Sequence, residues 1–178
     1  MQYIVLDTSP LIHLAMLHRL DLLEAWGQTV IPDMVVIEAV RGPDSAECAT
    51  WLMSAVAQGK IQVPDTDIGR MYRLAIQADP NYRAKNAGEY AILDWVIDYL
   101  EHTDDMAVLL YENGKIPRLI GEWSSDMNID VMTTRYFLHA CEEKGLVANA
   151  EALWSQLIEQ KQTVNPRIEV TQIRRSGP

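Results

Sequence analysis

The sequence predicts a parallel α/β fold, a central five-stranded sheet sandwiched between helices in three layers. Two observations carry this. Short apolar runs at 3–6, 28–31 and 107–110 lack polar alternation, as strands buried on both faces do, and weaker runs at 61–63 and 129–131 supply two more. Between them lie stretches with apolar residues at helical spacing, and such alternation implies right-handed crossovers within one sheet.

Each element follows from local signals. Tyr3-Ile4-Val5-Leu6 reads as the first strand, and Pro10 marks a helix start followed by Leu11, Leu14, Ala15 and Leu17. Leu20, Leu22 and Leu23 form a short second helix. Asp33 is expected to N-cap a third, with Val36, Ile37 and Val40 on its apolar face and Gly42-Pro43 ending it. Helices are expected at 44–58, at 67–78 before Asp79-Pro80, and at 87–101, where Tyr90 and Trp95 add aromatic packing. Two more, at 133–144 and 148–162, are split at Gly145. The main domain is expected over 1–145, with a C-terminal helix and basic tail over 146–178 packed on it or extending it. Leu146, Val147, Ala150, Leu153, Trp154, Leu157 and Ile158 make an apolar stripe that must be buried, on this domain in preference to another chain. The tail from Asn165 to Arg175 is the most basic stretch, expected to meet an acidic surface on a second copy of the chain or on RNA.

Bulk properties narrow the function. The 178 residues suit one domain of about 100–200 residues. A net charge of −10 argues against a sequence-independent nucleic-acid coat, which needs broad positive potential, but leaves room for a nuclease with a local basic rim. No apolar run approaches the roughly 18 residues that would span a bilayer, and the N-terminus lacks a secretory pattern, so a cytoplasmic protein without a membrane partner is expected. Cys48 and Cys141 lack metal-ligand spacing and read as buried thiols. His13, His18, His102 and His139 also lack it and read as surface or packing residues.

The chemistry lies in the acids. Asp7 ends the first strand, Glu38 follows the second apolar run, Glu89 opens the 87–101 helix, and Glu112 follows the strand at 107–110. Carboxylates so placed can converge on one edge of a parallel sheet, where open α/β sheets bind ligands. An all-carboxylate cluster suits a hard cation, Mg²⁺ or Mn²⁺. Three of the acids have a simpler reading: Asp7 as a helix cap, Glu38 as a solvated helix residue, Glu89 as a complement to the helix dipole. Asp126 and Asp130 are reserve candidates near the fifth strand. Arg83 and Lys85, just before Glu89, are the preferred phosphate contacts, and Tyr82 and Tyr111 are candidates for stacking on bases.

The segment Ile4-Val5-Leu6-Asp7-Thr8-Ser9-Pro10-Leu11-Ile12 resembles the opening of a PIN domain. Leu20-Asp21-Leu22-Leu23, Val30-Ile31-Pro32 and the Glu38 helix continue the resemblance, and Asn86-Ala87-Gly88-Glu89-Tyr90-Ala91 is similar to the start of the central helix of that family. The resemblance spans roughly 3–140. It implies a Mg²⁺- or Mn²⁺-dependent ribonuclease, with bacterial relatives that are toxins paired with antitoxin proteins. Carried over by position, Asp7, Glu38 and Glu89 match family acids. Glu112, in Tyr111-Glu112-Asn113-Gly114, departs from the usual aspartate pair, which puts a second metal ion in question. Asn113 retains a carbonyl oxygen, and Thr8, Ser9, Thr133 and Thr134 match places where hydroxyls flank the acids.

The expected roles follow. Asp7 and Glu89 hold the first metal ion, Glu38 supports it, and Glu112 holds a second or positions water. Thr8, Ser9, Arg83, Lys85, Asn113 and Thr133 bind substrate. Partners are RNA, an antitoxin protein and a second copy of the chain. The rival reading is a catalytically weak module that binds RNA or protein. A phosphatase fits less well, because Ser occupies position 9 and no phosphate-cradling glycine loop is present.

Overall fold

Five parallel strands form one sheet in the order β3-β2-β1-β4-β5. The computed structural model describes residues 1–41, 45–112 and 128–160. The strands are β1 (Gln2–Leu6), β2 (Gln28–Val30), β3 (Ile61–Gln62), β4 (Met106–Leu110) and β5 (Ile129–Met132). β1 lies at the centre, with Val5 opposite Val30 on one side and Leu6 opposite Leu110 on the other. The chain builds β2 and β3 outward from β1, then returns to build β4 and β5 on the other flank. The topological switch therefore falls between β1 and β4, and crevices form at the carboxyl ends of strands at such a switch.

Among the described residues the helices are α1 (Thr8–Met16), α2 (Asp21–Glu24), α3 (Asp33–Ala39), α4 (Ser45–Ala57), α5 (Asp67–Ala78), α6 (Ala87–Tyr99), α7 (Thr134–Glu143) and α8 (Ala150–Gln160). They cover the sheet, which is why the central strands are mostly apolar: Ile4, Val5, Leu6, Val30 and Leu110 are fully buried. Tyr3, Trp95 and Tyr99 pack as a ring cluster, with the Tyr3 hydroxyl 2.7 Å from that of Tyr99. α8 buries Ala150, Trp154 and Leu157 in the main core, and Leu146, Leu153 and Ile158 pack against it, so the C-terminal stripe is covered by its own chain. Both thiols are buried, and Trp26 Nε1 donates to Cys141 Sγ at 3.2 Å. No helix among the described residues is long and apolar enough to cross a membrane.

Several boundaries differ from expectation for local reasons. α1 begins at Thr8, two residues before Pro10, because a first-turn residue has no intrahelical acceptor for its N–H and tolerates proline there. β3 ends at Gln62, just short of Pro64. The last turn of the 87–101 helix tightens into a 3₁₀ turn over Leu100–His102. Asp33 does not cap α3; Pro32 takes that position. The Asp33 carboxylate is buried and accepts from Thr66 Oγ1 (2.8 Å), Arg73 Nη1 (2.7 Å) and its neighbour Met34 N (2.9 Å). It clamps α3 to α5 rather than starting a helix. Asp94 accepts from Ile68 N at 3.1 Å and ties α6 to the same helix. Gly42-Pro43, Asn113, Asp126 and the tail from 163 onward lie outside the described residues.

Candidate active site

Asp7 follows β1 directly, and its backbone N–H donates to Leu110 O at 3.0 Å, which pins it at the switch between β1 and β4. It occupies the N-cap position of α1 but makes no side-chain capping hydrogen bond. Its side chain is instead buried beside three other acids. Burial, only partly offset by the Thr8 N–H, raises the Asp7 carboxyl from 3.8 to about 7, and repulsion from Glu89, Glu38 and Glu112 adds to the rise. The four acids thus share one electrostatic site. Their charges act on one another as carboxylates crowded in a low dielectric do.

Each of the other acids comes from a different element. Glu38 projects from α3, with both oxygens held: Thr8 Oγ1 donates to Oε2 at 3.0 Å and Gly88 N donates to Oε1 at 3.0 Å. Glu89, in the first turn of α6, is buried. Glu112 lies two residues beyond β4, and the N–H of Thr134 at the start of α7 donates to its Oε1 at 3.0 Å. Burial alone would raise the Glu112 carboxyl. Hydrogen bonds from His13 and Thr134 outweigh it, so the net shift is downward. Asp7 and Glu112 are therefore driven apart, one towards the protonated form and one towards the charged form. Among the described residues, no three His, Cys, Asp or Glu side chains draw close enough as placed to hold a metal ion. The hydrogen bonds explain this for Glu38 and Glu112, which are drawn to backbone and hydroxyl donors.

The remaining candidates divide. Thr8 orients Glu38. Ser9 is half-buried in the first turn of α1. Thr133 caps α7 through Tyr136 N, and Thr134 donates its N–H to Glu112, with its hydroxyl 3.4 Å from His13 Nδ1. Arg83 and Lys85 are exposed on the loop before α6. Tyr111 is buried and cannot stack on a base, whereas Tyr82 is exposed. Asp130 is exposed on β5 and takes no part in raising the Asp7 carboxyl.

Two participants escaped the sequence reading. His13 is buried, with Nδ1 3.4 Å from Glu112 Oε1. Nothing local signals this, because the contact joins α1 to residues about a hundred positions later. Arg41 lines a cleft of about 740 Å³ that opens beside Glu38. Its place three residues after Glu38, in the turn just beyond α3, is a signal that could have found it.

Gly88 matters through its missing side chain. A Cβ there would meet Glu38 Oε2 at 2.8 Å and Cδ at 3.3 Å. Glu38 is flexible enough to move aside, so Gly88→Ala is expected to fold with little loss of melting temperature. It should lower catalytic turnover roughly a hundredfold by displacing one carboxylate. Wild-type turnover in that variant would show that the position of Glu38 is immaterial.

The buried acids thus lie at the topological switch of a five-stranded parallel sheet in an α/β domain. Residues 3–78 match a family model described as DUF3368, PIN domain, which supports a PIN-domain family for this chain. The match covers Asp7 and Glu38, while Glu89 and Glu112 lie beyond it. PIN domains are generally nucleases and typically use divalent metal ions. Neither the curated proteins nor the solved structures compared with the chain contain a match.

Proposed function

We propose that this chain is a divalent-cation-dependent endoribonuclease acting at the cluster of Asp7, Glu38, Glu89 and Glu112. The observation that carries the proposal is the Asp7 carboxyl, buried and raised to about 7 beside three further acids. A site with this much uncompensated negative charge and only oxygen donors fits Mg²⁺ or Mn²⁺. Asp7 and Glu89 would hold the ion, with Glu112 as a further ligand. When bound, it supplies Lewis-acid polarisation of a phosphate and lowers the pKa of water.

The chain's own groups do the rest. Thr8 and Gly88 fix the Glu38 carboxylate, so it enters the reaction without reorganising. His13 and Thr134 keep Glu112 ionised, ready to accept a proton or orient a water. Arg83 and Lys85 would contact phosphate, and Ser9 and Thr133 would offer hydroxyls to the substrate. Because water rather than the ribose 2′-hydroxyl is the nucleophile, the products should carry 5′-phosphate and 3′-hydroxyl ends. A cytoplasmic toxin held in check by an antitoxin protein, with a second copy of the chain as a further partner, is the biological setting proposed for such an activity.

The test is incubation of mixed RNA with Mn²⁺, Mg²⁺ or EDTA, followed by end-group analysis. Metal-dependent cleavage leaving 5′-phosphates supports the proposal. Cyclic phosphates, or equal cleavage in EDTA, would rule it out. A second reading, a module that binds without cleaving, draws support from the carboxylates being held apart by hydrogen-bond donors. RNA left intact in Mn²⁺ but retained on the protein would favour it.

A further inference from the structure

We infer that the cleft beside Glu38 is the subsite for the nucleotide next to the scissile bond of single-stranded RNA, with Arg41 and Arg83 on its phosphate and Tyr72 orienting Arg41. The inference builds on the ribonuclease reading above and adds a path for the strand to it.

The cleft is about 740 Å³, within the usual span of roughly 300–1,000 Å³ for ligand sites, and Glu38, Arg41, Tyr72 and Arg83 line it together. Glu38 belongs to both cleft and acid cluster, so a strand lying in the cleft leads directly to the proposed reaction centre. The two arginines are unlike the others described. Arg19 pairs with Asp21, Arg70 with Asp67, Arg73 with Asp33, and Arg135 with Glu151. Among the described residues neither Arg41 nor Arg83 has an acidic partner, in a chain of net charge −10. Acids are plentiful, so two guanidiniums left facing a cleft point to an anion from outside.

Arg41 is also held in place. Its Nη1 donates to the Tyr72 hydroxyl, and its guanidinium stands 5.4 Å from the Tyr72 ring centroid. An arginine held this way loses less side-chain freedom on binding phosphate. Arg83 donates one Nη1 hydrogen bond to Tyr82 O at 3.0 Å, leaving further donors for a ligand.

The track continues. A second cleft of about 340 Å³ shares Tyr72, Arg83 and Ala84 with the first and adds Tyr82, Lys85 and Tyr90. Tyr82 and Tyr90 are exposed and offer ring faces to unstacked bases. A duplex hides those base faces, so a single strand is the ligand this path fits.

The experiment measures binding of a labelled single-stranded RNA 12-mer by fluorescence anisotropy in EDTA, where cleavage cannot interfere. Arg41→Ala and Arg83→Ala should each weaken binding about tenfold and reduce the slope of log affinity against log salt by about 0.7. Tyr72→Phe keeps the ring but loses the hydroxyl, and should weaken binding through Arg41, with no added effect in an Arg41→Ala background. Lys60→Ala, which removes an equal charge at the far end of the strands, should bind as wild type. Arg83 is exposed, so its variant separates binding from folding. Wild-type affinity in Arg83→Ala, a loss equal to that of Lys60→Ala, preference for duplex, or no RNA binding by the wild type would each overturn the subsite. So would equally strong competition by polyglutamate, which would make the cleft a protein-docking surface. If RNA stays intact in Mn²⁺ yet both arginine variants lose binding, the subsite stands and only the ribonuclease reading falls.

Discussion

Asp7→Asn is expected to abolish cleavage and, without divalent cation, to make the folded chain more stable at neutral pH. The sign follows from linkage. A carboxyl raised from 3.8 to about 7 binds its proton more tightly in the folded chain than in the unfolded one. Its contribution to stability is full below the unfolded value and is lost as pH rises through the folded value. Above about pH 7 the native state carries a buried carboxylate beside three acids, at a cost of roughly 4 kcal/mol. Asparagine removes that cost. Urea denaturation in EDTA should show wild type losing stability between about pH 4 and pH 7, while Asp7→Asn stays nearly flat and is the more stable at about pH 8. Mn²⁺ should close much of that gap: a hundredfold excess over its dissociation constant adds about 2.7 kcal/mol to wild type and little to the variant. Equal pH profiles for the two proteins would mean that Asp7 is not in the charged cluster.

Gly69→Ala is expected to be strongly destabilising. A Cβ at position 69 would fall inside the Asp33 carboxylate. Unlike Glu38, Asp33 cannot move aside, because Thr66, Arg73 and Met34 hold it in a buried site. Either the carboxylate leaves its donors or α5 lifts from α3, at a cost of about 3–5 kcal/mol. Thermal unfolding should show a fall well beyond that of a surface control such as Gly59→Ala, where nothing lies within 4 Å and only the positive φ opposes the change. A fall no greater than the control's would show that the Asp33 clamp is not rigid.

The strands were legible because burial on both faces leaves uninterrupted apolar runs, and all five lie within a residue or two of where those runs stand. Helix starts were less legible. Pro10 and Asp33 each carry a start signal, but proline is tolerated anywhere in a first turn, and the Asp33 carboxylate finds better partners on α5. Of the site, the acids could be named from their places at strand ends and helix starts. What surrounds them could not. The contacts of His13 with Glu112 and of Arg41 with Tyr72 join distant segments, and no local pattern encodes a pairing that only the completed sheet creates.

The claim that four acids form one cation site is tested most directly by a Mn²⁺-soaked crystal measured for anomalous scattering. One strong peak is predicted at the carboxyl edge of β1 and β4, about 2.0–2.2 Å from oxygens of Asp7 and Glu89. A map with no peak there, at Mn²⁺ concentrations that support cleavage, would contradict the assignment.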